Sequence, residues 1–205
     1  MYKINEIFQS IQGEGIWTGT LMTFVRFAGC NLKCSWCDTD FNEKGTFDIN
    51  ALLLEIAMQQ AYMYPVPKEV TVCLTGGEPM LQVDNELIEA LLSADYKIHI
   101  ETNGTMPRQW EVYNNVWLTV SPKEDWVLKV GNELKVVWNG QTTEELRDYF
   151  SSDFAYYFLQ PEWNYCHVPT NSSLHQSRIE TLINIIREEP RWKLSLQTHK
   201  LLAIR

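Results

Sequence analysis

Segments typical of strands and of helices alternate along most of this chain, and that order limits the fold more than any other feature. Short apolar runs are separated by longer stretches whose apolar residues have helical spacing. Parallel neighbours in a sheet need a crossover of a dozen or more residues, so the alternation favours a mostly parallel sheet in an α/β fold. The predicted strands cover residues 21–27, 70–74, 97–101, 116–120, 133–138, 155–159 and 192–196, and the predicted helices cover 48–63, 82–94, 142–150 and 173–188.

Polar residues are concentrated where several predicted strands end. Residues 75–79, 101–104 and 121–123 each follow an apolar strand directly and include Thr, Glu, Asn, Ser and Lys. In barrels of alternating strands and helices, chemistry gathers at the C-terminal ends of the strands. The sequence therefore predicts one site at that end of the sheet. The sequence contains no linker rich in Pro, Gly or Ser, so we expect the chain to form one domain.

Charge and composition argue against several classes of protein. The 205 residues include 17 Lys plus Arg and 26 Asp plus Glu, a formal charge of −9, whereas tight binding to nucleic acid phosphates needs clustered cations. No apolar run reaches the roughly 18 to 20 residues of a membrane helix, and the first residues lack the pattern of a signal peptide. We therefore expect a cytoplasmic protein that acts on a small molecule, with neither nucleic acid nor a membrane as its partner.

Three cysteines lie close together in a C-x3-C-x2-C pattern formed by Cys30, Cys34 and Cys37. The chain has five cysteines, and an odd number with one tight cluster is not typical of a disulfide framework. Three thiolates on one loop can bind three corners of a metal cluster and leave the fourth corner open for another ligand. The pattern therefore predicts a metal cluster with one exchangeable position.

A structural zinc site remains an alternative for these cysteines. Zinc normally takes four protein ligands, so a histidine distant in sequence would have to supply the fourth. The candidates are His99, His167, His175 and His199. The two remaining cysteines are interpreted as structural, because Cys73 lies inside an apolar strand and Cys166 lies beside an aromatic residue.

The cysteine pattern and a second motif together resemble the radical S-adenosylmethionine (SAM) superfamily. Trp36 precedes the last cysteine, as an aromatic residue commonly does in that superfamily, and residues 75–79 read Thr-Gly-Gly-Glu-Pro, similar to its GGEP motif. The two motifs are about 40 residues apart, a distance that one β-α-β unit spans. The resemblance implies a 4Fe-4S cluster held by the three cysteines, with SAM bound to the open iron through its amino and carboxylate groups.

Further motifs are similar to one family in that superfamily, the 7-carboxy-7-deazaguanine synthases. They cover nearly the whole chain and comprise Gln12-Gly13-Glu14-Gly15, residues 26–32, 37–41, 101–104 and 121–123, Gln160-Pro161 and residues 197–200. The resemblance implies a compact, abbreviated (β/α)6 partial TIM barrel, forming a single radical SAM domain over residues 1–205. It also implies a ring-contracting lyase that converts 6-carboxy-5,6,7,8-tetrahydropterin to 7-carboxy-7-deazaguanine with loss of ammonia, in the biosynthesis of queuosine and other deazapurines.

Site residues follow from the resemblance, motif by motif. The residues that match substrate contacts are Ile11, Gln12, Gly13, Glu14, Arg26, Thr75 and Arg205. The residues that match SAM contacts are Trp36, Cys37, Asp38, Gly77, Glu78, Ser121, Pro122, Lys123, Gln160, Pro161, Glu162 and Trp163. Thr39 matches a Mg²⁺ ligand of the family, whereas residue types alone favour Asp38 or Asp40, because Mg²⁺ binds readily to carboxylate oxygens.

Two of the matched residues also suit their roles on physical grounds. A planar guanidinium binds a carboxylate through two parallel hydrogen bonds, so Arg26 is suited to the acid group of a pterin carboxylate. An ionised carboxylate only accepts hydrogen bonds, so Glu14 is suited to the N–H groups of the guanine-like face.

The resemblance further implies an electron donor such as flavodoxin and a second copy of the chain in a homodimer. Two alternatives remain open. An activating enzyme for a glycyl-radical protein shares the cysteine loop, and it would cleave SAM only with its partner protein present. A noncatalytic zinc or iron–sulfur protein would not cleave SAM under reducing conditions.

Overall fold

In the residues that the computed structural model describes, nine strands form one sheet. These residues are 1–61, 70–108, 110, 113–123, 125–166 and 173–204. The strands are β1 (Tyr2–Ile11), β2 (Leu21–Phe27), β3 (Gly45–Phe47), β4 (Thr71–Gly76), β5 (Lys97–Thr102), β6 (Val116–Val120), β7 (Val130–Trp138), β8 (Asp153–Pro161) and β9 (Trp192–Leu194). Their order across the sheet is β3-β1-β2-β4-β5-β6-β7-β8-β9.

The sheet is parallel from β2 to β9, whereas β1 runs antiparallel to both of its neighbours, β2 and β3. The helices are α1 (Ile49–Ala61), α2 (Asn85–Ser93), α3 (Thr143–Arg147), α4 (Trp163–Cys166), α5 (Ser173–Glu188) and α6 (Thr198–Leu201). The described residues between β5 and β7 contain no helix, so two crossovers lack the helix of a full α/β unit. The predicted fold class, an abbreviated partial barrel with a mostly parallel sheet, is confirmed. No helix in the described part of the chain combines the length and the apolar character needed to span a membrane.

The two faces of the sheet differ in chemistry, because side chains alternate between the faces along a strand. On β5, Ile98 and Ile100 are fully buried in the hydrophobic core, to which α1, α2 and α5 also contribute. His99 and Glu101 point to the opposite face, where a ligand atom from each lies within 4.8 Å of the Cys73 thiol of β4. Polar side chains therefore gather on the face of the sheet that turns away from this core.

The structure confirms the predicted strands and most of the predicted helices, with differences at their ends. β2 and β6 have their predicted bounds, β7 and β8 are longer, and β9 ends two residues earlier. The second helix begins at Asn85 because residues 79–81 form a 3-10 turn and Asp84 caps α2 by accepting from the Leu87 N–H at 2.9 Å. The predicted helix at 142–150 is α3 followed by a 3-10 turn at 148–151. Residues 62 and 63 of the first predicted helix lie outside the described residues.

Two strands and two short helices were not predicted from the sequence. In β1 the register shifts between Ile4 and Glu6, which interrupts the alternation of apolar and polar residues that identifies a strand. β3 has three residues, and α4 and α6 have four residues each, too short for a periodic pattern. Adding β1 and β3 extends the parallel sheet by an antiparallel edge beside β2.

Candidate active site

A cavity of about 700 Å³ opens at the C-terminal ends of the parallel strands. Of the predicted site residues, its walls include Ile11, Gln12, Gly13, Glu14, Arg26, Cys30, Cys34, Trp36, Cys37, Asp38, Thr39, Thr75, Gly77, Ser121, Lys123, Gln160, Pro161, Glu162 and Trp163. Glu78 and Pro122 are not among the residues that line it. Arg205 lies outside the described residues. The motifs that are scattered along the sequence therefore converge on one cavity.

The three cysteines of the loop after β2 all line this cavity, and none of them is in a disulfide. One zinc ion binds thiolates at about 2.3 Å, so two sulfurs on the same ion are at most about 4.6 Å apart. Among the described residues, the only three metal-ligating atoms that lie within 4.8 Å of one another belong to a different group, Cys73, His99 and Glu101. Cys30, Cys34 and Cys37 do not form such a group in the described part of the chain. Three thiolates on one loop suit a cluster in which each thiolate binds a separate iron.

The glycine pair at the end of β4, Gly76 and Gly77, holds the start of the cysteine loop. Gly76 has a φ of +135°, a conformation that side chains other than glycine rarely adopt. A Cβ on Gly77 would lie 1.9 Å from the Gly29 carbonyl oxygen, directly before Cys30. The Glu78 N–H donates to that same carbonyl at 3.0 Å. The close approach of the two backbones therefore requires glycine at position 77.

The Glu78 side chain was predicted to contact SAM, but the structure places it behind the cavity wall. It is fully buried, and its carboxylate accepts from the Met80 N–H at 2.9 Å, the Thr102 hydroxyl at 2.7 Å and the Asn103 N–H at 2.7 Å. Burial raises the pKa of this carboxyl, although these hydrogen bonds favour the ionised form. Glu78 thus ties the turn after β4 to the end of β5, and its contact with SAM stays a prediction.

Lys123 and Trp36 form the side of the cavity next to the cysteines. The Lys123 ammonium lies 4.7 Å from the centre of the Trp36 ring and donates to the Ser121 carbonyl and hydroxyl, each at 3.0 Å. Burial lowers the pKa of Lys123 to about 8, and an anion bound beside it would favour the charged form. The carboxylate of an amino acid ligand is one such anion.

A buried ion cluster forms the floor of the cavity. The ammonium of Lys135, in the middle of β7, makes an ion pair with Glu14 and a second one with Glu101 at 3.3 Å. Glu101 also accepts from the Gln12 amide at 3.1 Å and from the Thr75 hydroxyl at 3.3 Å. Sequence reasoning assigned no role to Glu101 or Lys135. The sequence feature that could have identified Lys135 is that a lysine lies inside the apolar run of a predicted strand.

Arg26, at the end of β2, lies on the opposite side of the cavity floor. Its Nε donates to the Glu6 carboxylate at 2.8 Å, and its guanidinium carbon lies 5.7 Å from the centre of the Phe8 ring. These contacts hold the guanidinium at the cavity surface. The role of Arg26 as an anchor for a substrate carboxylate stays a prediction.

The C-terminal segment closes the cavity between the first motif and the cysteine loop. The Thr198 N–H donates to the Gly13 carbonyl at 3.0 Å, and the Gln197 amide donates to Glu14 at 3.0 Å. Lys200 makes an ion pair with Asp38 and lies 5.0 Å from the centre of the Trp163 ring. Residues 197–200 therefore contact both ends of the predicted site, although the sequence assigned them no role there.

Glu133 of β7 is a buried acid next to the first motif. Its carboxylate is 1% exposed and accepts from the Ile16 N–H at 3.0 Å. Burial raises its pKa to about 7, and the charges of Glu101 and Glu14 act in the same direction, whereas Lys135 opposes them. Glu133 therefore changes its ionisation near neutral pH.

Replacing Glu133 by Gln is expected to remove part of the pH dependence of folding stability. The folded pKa of about 7 exceeds the usual value of 4.5, so Glu133 contributes stability below pH 4.5 and loses it as the pH rises through 7. The full difference is about 3 kcal/mol, since a tenfold change in proton affinity corresponds to about 1.36 kcal/mol. Urea unfolding of both proteins between pH 5 and 8 measures the effect. The variant should be more stable than wild type at pH 8, and parallel stability curves would contradict this assignment.

Comparison with known proteins agrees with this geometry. The profile of the Radical SAM superfamily matches residues 24–123. A 7-carboxy-7-deazaguanine synthase from Bacteroides thetaiotaomicron is 41% identical over 209 residues, and the match covers 100% of both chains. A second, from Burkholderia multivorans, is 40% identical, with 99% of each chain covered. The crystal structure of QueE from Escherichia coli is similar with a TM-score of 0.72 and 29% identity, covering 97% of this chain and 94% of that one. The chain belongs to the 7-carboxy-7-deazaguanine synthase family of radical SAM enzymes.

Proposed function

We propose that this protein converts 6-carboxy-5,6,7,8-tetrahydropterin to 7-carboxy-7-deazaguanine with loss of ammonia, a step in queuosine and deazapurine biosynthesis. The observation that carries the proposal is the shared cavity, which is lined by the three cysteines, by Arg26 and by the first motif. The residues proposed for the cofactors and those proposed for a carboxylated ring system thus line one cavity of about 700 Å³. The relatives with this activity match the chain over its full length.

Cys30, Cys34 and Cys37 would hold a 4Fe-4S cluster and leave its fourth iron open to SAM. When bound and reduced, these cofactors would supply the radical chemistry that removes a hydrogen atom from C6 of the substrate. The protein contributes binding and orientation. Lys123 would attract the SAM carboxylate, and Trp36 lies beside it at the same wall.

The substrate end of the cavity offers groups for both halves of the pterin. Arg26 would bind the substrate carboxylate through paired hydrogen bonds. On the floor of the cavity, the Glu14 carboxylate would accept hydrogen bonds from the pyrimidine edge of the substrate. The Gln12 amide could both donate to that edge and accept from it. These assignments place the ring between two opposite charges, which fixes its orientation before the hydrogen atom is removed.

We also propose Mg²⁺ as a second cofactor, held at Thr39. The Thr39 hydroxyl lies 3.5 Å from an oxygen of Asp38, and both residues line the cavity together with Asp40. Hydroxyl and carboxylate oxygens are suitable donors, with waters and substrate oxygens completing six positions. The ion would then bridge the cysteine loop and the substrate.

Replacing Thr39 by Ala is expected to slow product formation about 10-fold while the iron content stays unchanged, because only a metal ligand is lost. Product formation measured against Mg²⁺ concentration tests this, with Thr46→Ala as the control. Thr46 lies on β3, outside the residues that line the cavity, and bonds Glu43 at 2.8 Å. A Thr39→Ala enzyme with the wild-type response to Mg²⁺ would contradict the assignment.

Two further partners are proposed on the family resemblance. An electron donor such as flavodoxin would reduce the cluster. A second copy of the chain would form a homodimer. Reduction by purified flavodoxin and sedimentation of the reconstituted protein test these two proposals separately.

An anaerobic assay tests the proposed function. The cluster is reconstituted and reduced, SAM and 6-carboxytetrahydropterin are added with and without Mg²⁺, and the products are identified by mass spectrometry. We expect 7-carboxy-7-deazaguanine that depends on substrate, cluster and SAM. Cleavage of SAM without this product would move the substrate assignment to another radical reaction, such as activation of a partner protein. An intact cluster without any cleavage would contradict radical chemistry.

A further inference from the structure

The ion cluster under the cavity is arranged around one buried cation. The Lys135 side chain is 5% exposed, and its ammonium contacts Glu14, from the loop after β1, and Glu101, from β5. These three residues come from parts of the chain that are far apart in sequence. Lys135 therefore joins the first motif to the sheet at the floor of the cavity.

The balance of charge around Lys135 is negative. Burial opposes its positive charge, but the nearby carboxylates of Glu101, Glu14 and Glu133 outweigh burial and raise its pKa. His99 does not help to neutralise them, because burial lowers its pKa to about 4 and leaves the ring neutral at pH 7. Lys135 is thus a buried cation that lowers the pKa of Glu101 and favours its ionised form.

The same ammonium also explains why Glu101 does not need a metal ion. Cys73, His99 and Glu101 have ligand atoms within 4.8 Å of one another, a spacing that one ion could bridge. Both oxygens of Glu101 already accept hydrogen bonds, one from Lys135 and Gln12 and the other from Thr75. The positive charge that a metal would bring is supplied by Lys135.

We propose that Lys135 is a positioning residue that holds the carboxylates of Glu14 and Glu101 as one acceptor surface for the donor-rich pyrimidine edge of the substrate. This inference rests on the proposed function. A carboxylate that pairs with a fixed ammonium keeps its remaining lone pairs in place, and a substrate with several adjacent N–H groups can then bind without reorganising the site. Lys135 acts through these carboxylates and not through the reacting atoms.

Two variants separate the charge of Lys135 from its hydrogen bonds. Lys135→Arg keeps the cation, whereas Lys135→Gln keeps a donor and loses the charge. We expect KM for the pterin to rise about 10- to 100-fold in Lys135→Gln, since misplaced acceptors lose charge-assisted hydrogen bonds to the substrate. The kcat at saturating substrate should change less than KM. Lys135→Arg should restore KM to within about 5-fold of wild type.

Iron content and the wild-type reaction are measured in the same experiment. Wild-type protein that makes no 7-carboxy-7-deazaguanine would overturn the proposed function, and this inference with it. If wild type is active, an unchanged KM in Lys135→Gln would overturn the positioning role alone. A Lys135→Gln protein that loses iron as much as activity would also overturn it, because the effect would then be structural.

The double variant Lys135→Gln with Glu14→Gln tests whether Lys135 acts through Glu14. If it does, the double variant should have nearly the KM of Lys135→Gln. If the two residues act independently, the fold increases in KM caused by the two single substitutions should multiply in the double variant. The double variant also removes one carboxylate that the loss of Lys135 leaves unpaired, so it should fold where Lys135→Gln does not. If neither folds, Lys135 serves the fold and the proposal fails.

Discussion

Replacing Cys34 by alanine is expected to abolish both cluster assembly and product formation. Cys34 lines the cavity, is partly exposed and is in no disulfide, so removing its thiol takes away one cluster ligand with little loss of packing. Three thiolates are the protein's share of the cluster ligands, and two would leave a second iron without one. We expect the iron content after reconstitution to fall to background and turnover to become undetectable.

Cys73→Ala is the matched control for this experiment. Cys73 is fully buried and packs with Phe8, Met22 and Phe24, and it is not among the residues that line the cavity. Its loss should destabilise the fold by about 1–2 kcal/mol and leave the iron content unchanged. Iron analysis and the visible absorbance of both variants give the comparison. Full iron content in Cys34→Ala, or equal loss in both variants, would contradict the assignment of the loop.

A methyl group at Gly77 is expected to disturb the cofactor site more than its size suggests. The new Cβ would meet the Gly29 carbonyl oxygen at 1.9 Å and the Cys30 Cβ at 3.0 Å, so the backbone before the first cluster ligand must move. A displacement of about 1 Å in a catalytic geometry costs on the order of 100-fold in rate. We therefore expect Gly77→Ala to lower kcat at least 100-fold and to weaken SAM binding.

Gly19→Ala separates this steric effect from a general cost of losing glycine. Gly19 has a φ of +92°, and no atom lies within 4 Å of the position that a Cβ would take, so alanine there adds backbone strain without a collision. Its cost should appear as about 1 kcal/mol in stability, with cofactor binding unchanged. SAM affinity by equilibrium dialysis and single-turnover rates distinguish the two. Wild-type SAM affinity in Gly77→Ala would mean that the close backbone contact is not needed.

Local patterns predicted the parallel part of the sheet and the position of the site. The strand at 97–101 followed from alternating residues, and the structure extends it by one residue to Thr102. The end of that strand carries polar residues, and parallel strands place such ends at one edge. The convergence of the cysteine loop and residues 75–79 could thus be predicted without coordinates.

Contacts between distant residues could not be predicted in the same way. Lys135 and Glu14 are 121 positions apart, and Gln197 and Glu14 are 183 apart. No periodic pattern encodes such pairs, because they arise only when the sheet brings β7 and the chain end over the first motif. The burial of Glu78 depends likewise on Thr102, the last residue of β5, and on Asn103, which follows it. Motif similarity is the basis for the prediction that this side chain contacts SAM.

Transfer of a labelled hydrogen tests the central claim, that one cavity holds the pterin beside the radical SAM cofactors. The substrate is prepared with deuterium at C6 and turned over once anaerobically, and the 5′-deoxyadenosine formed is analysed by mass spectrometry. The account predicts that the 5′-deoxyadenosine recovered from the reaction carries deuterium from C6 and that 7-carboxy-7-deazaguanine forms. 5′-Deoxyadenosine without deuterium, formed at the same rate with or without substrate, would contradict it.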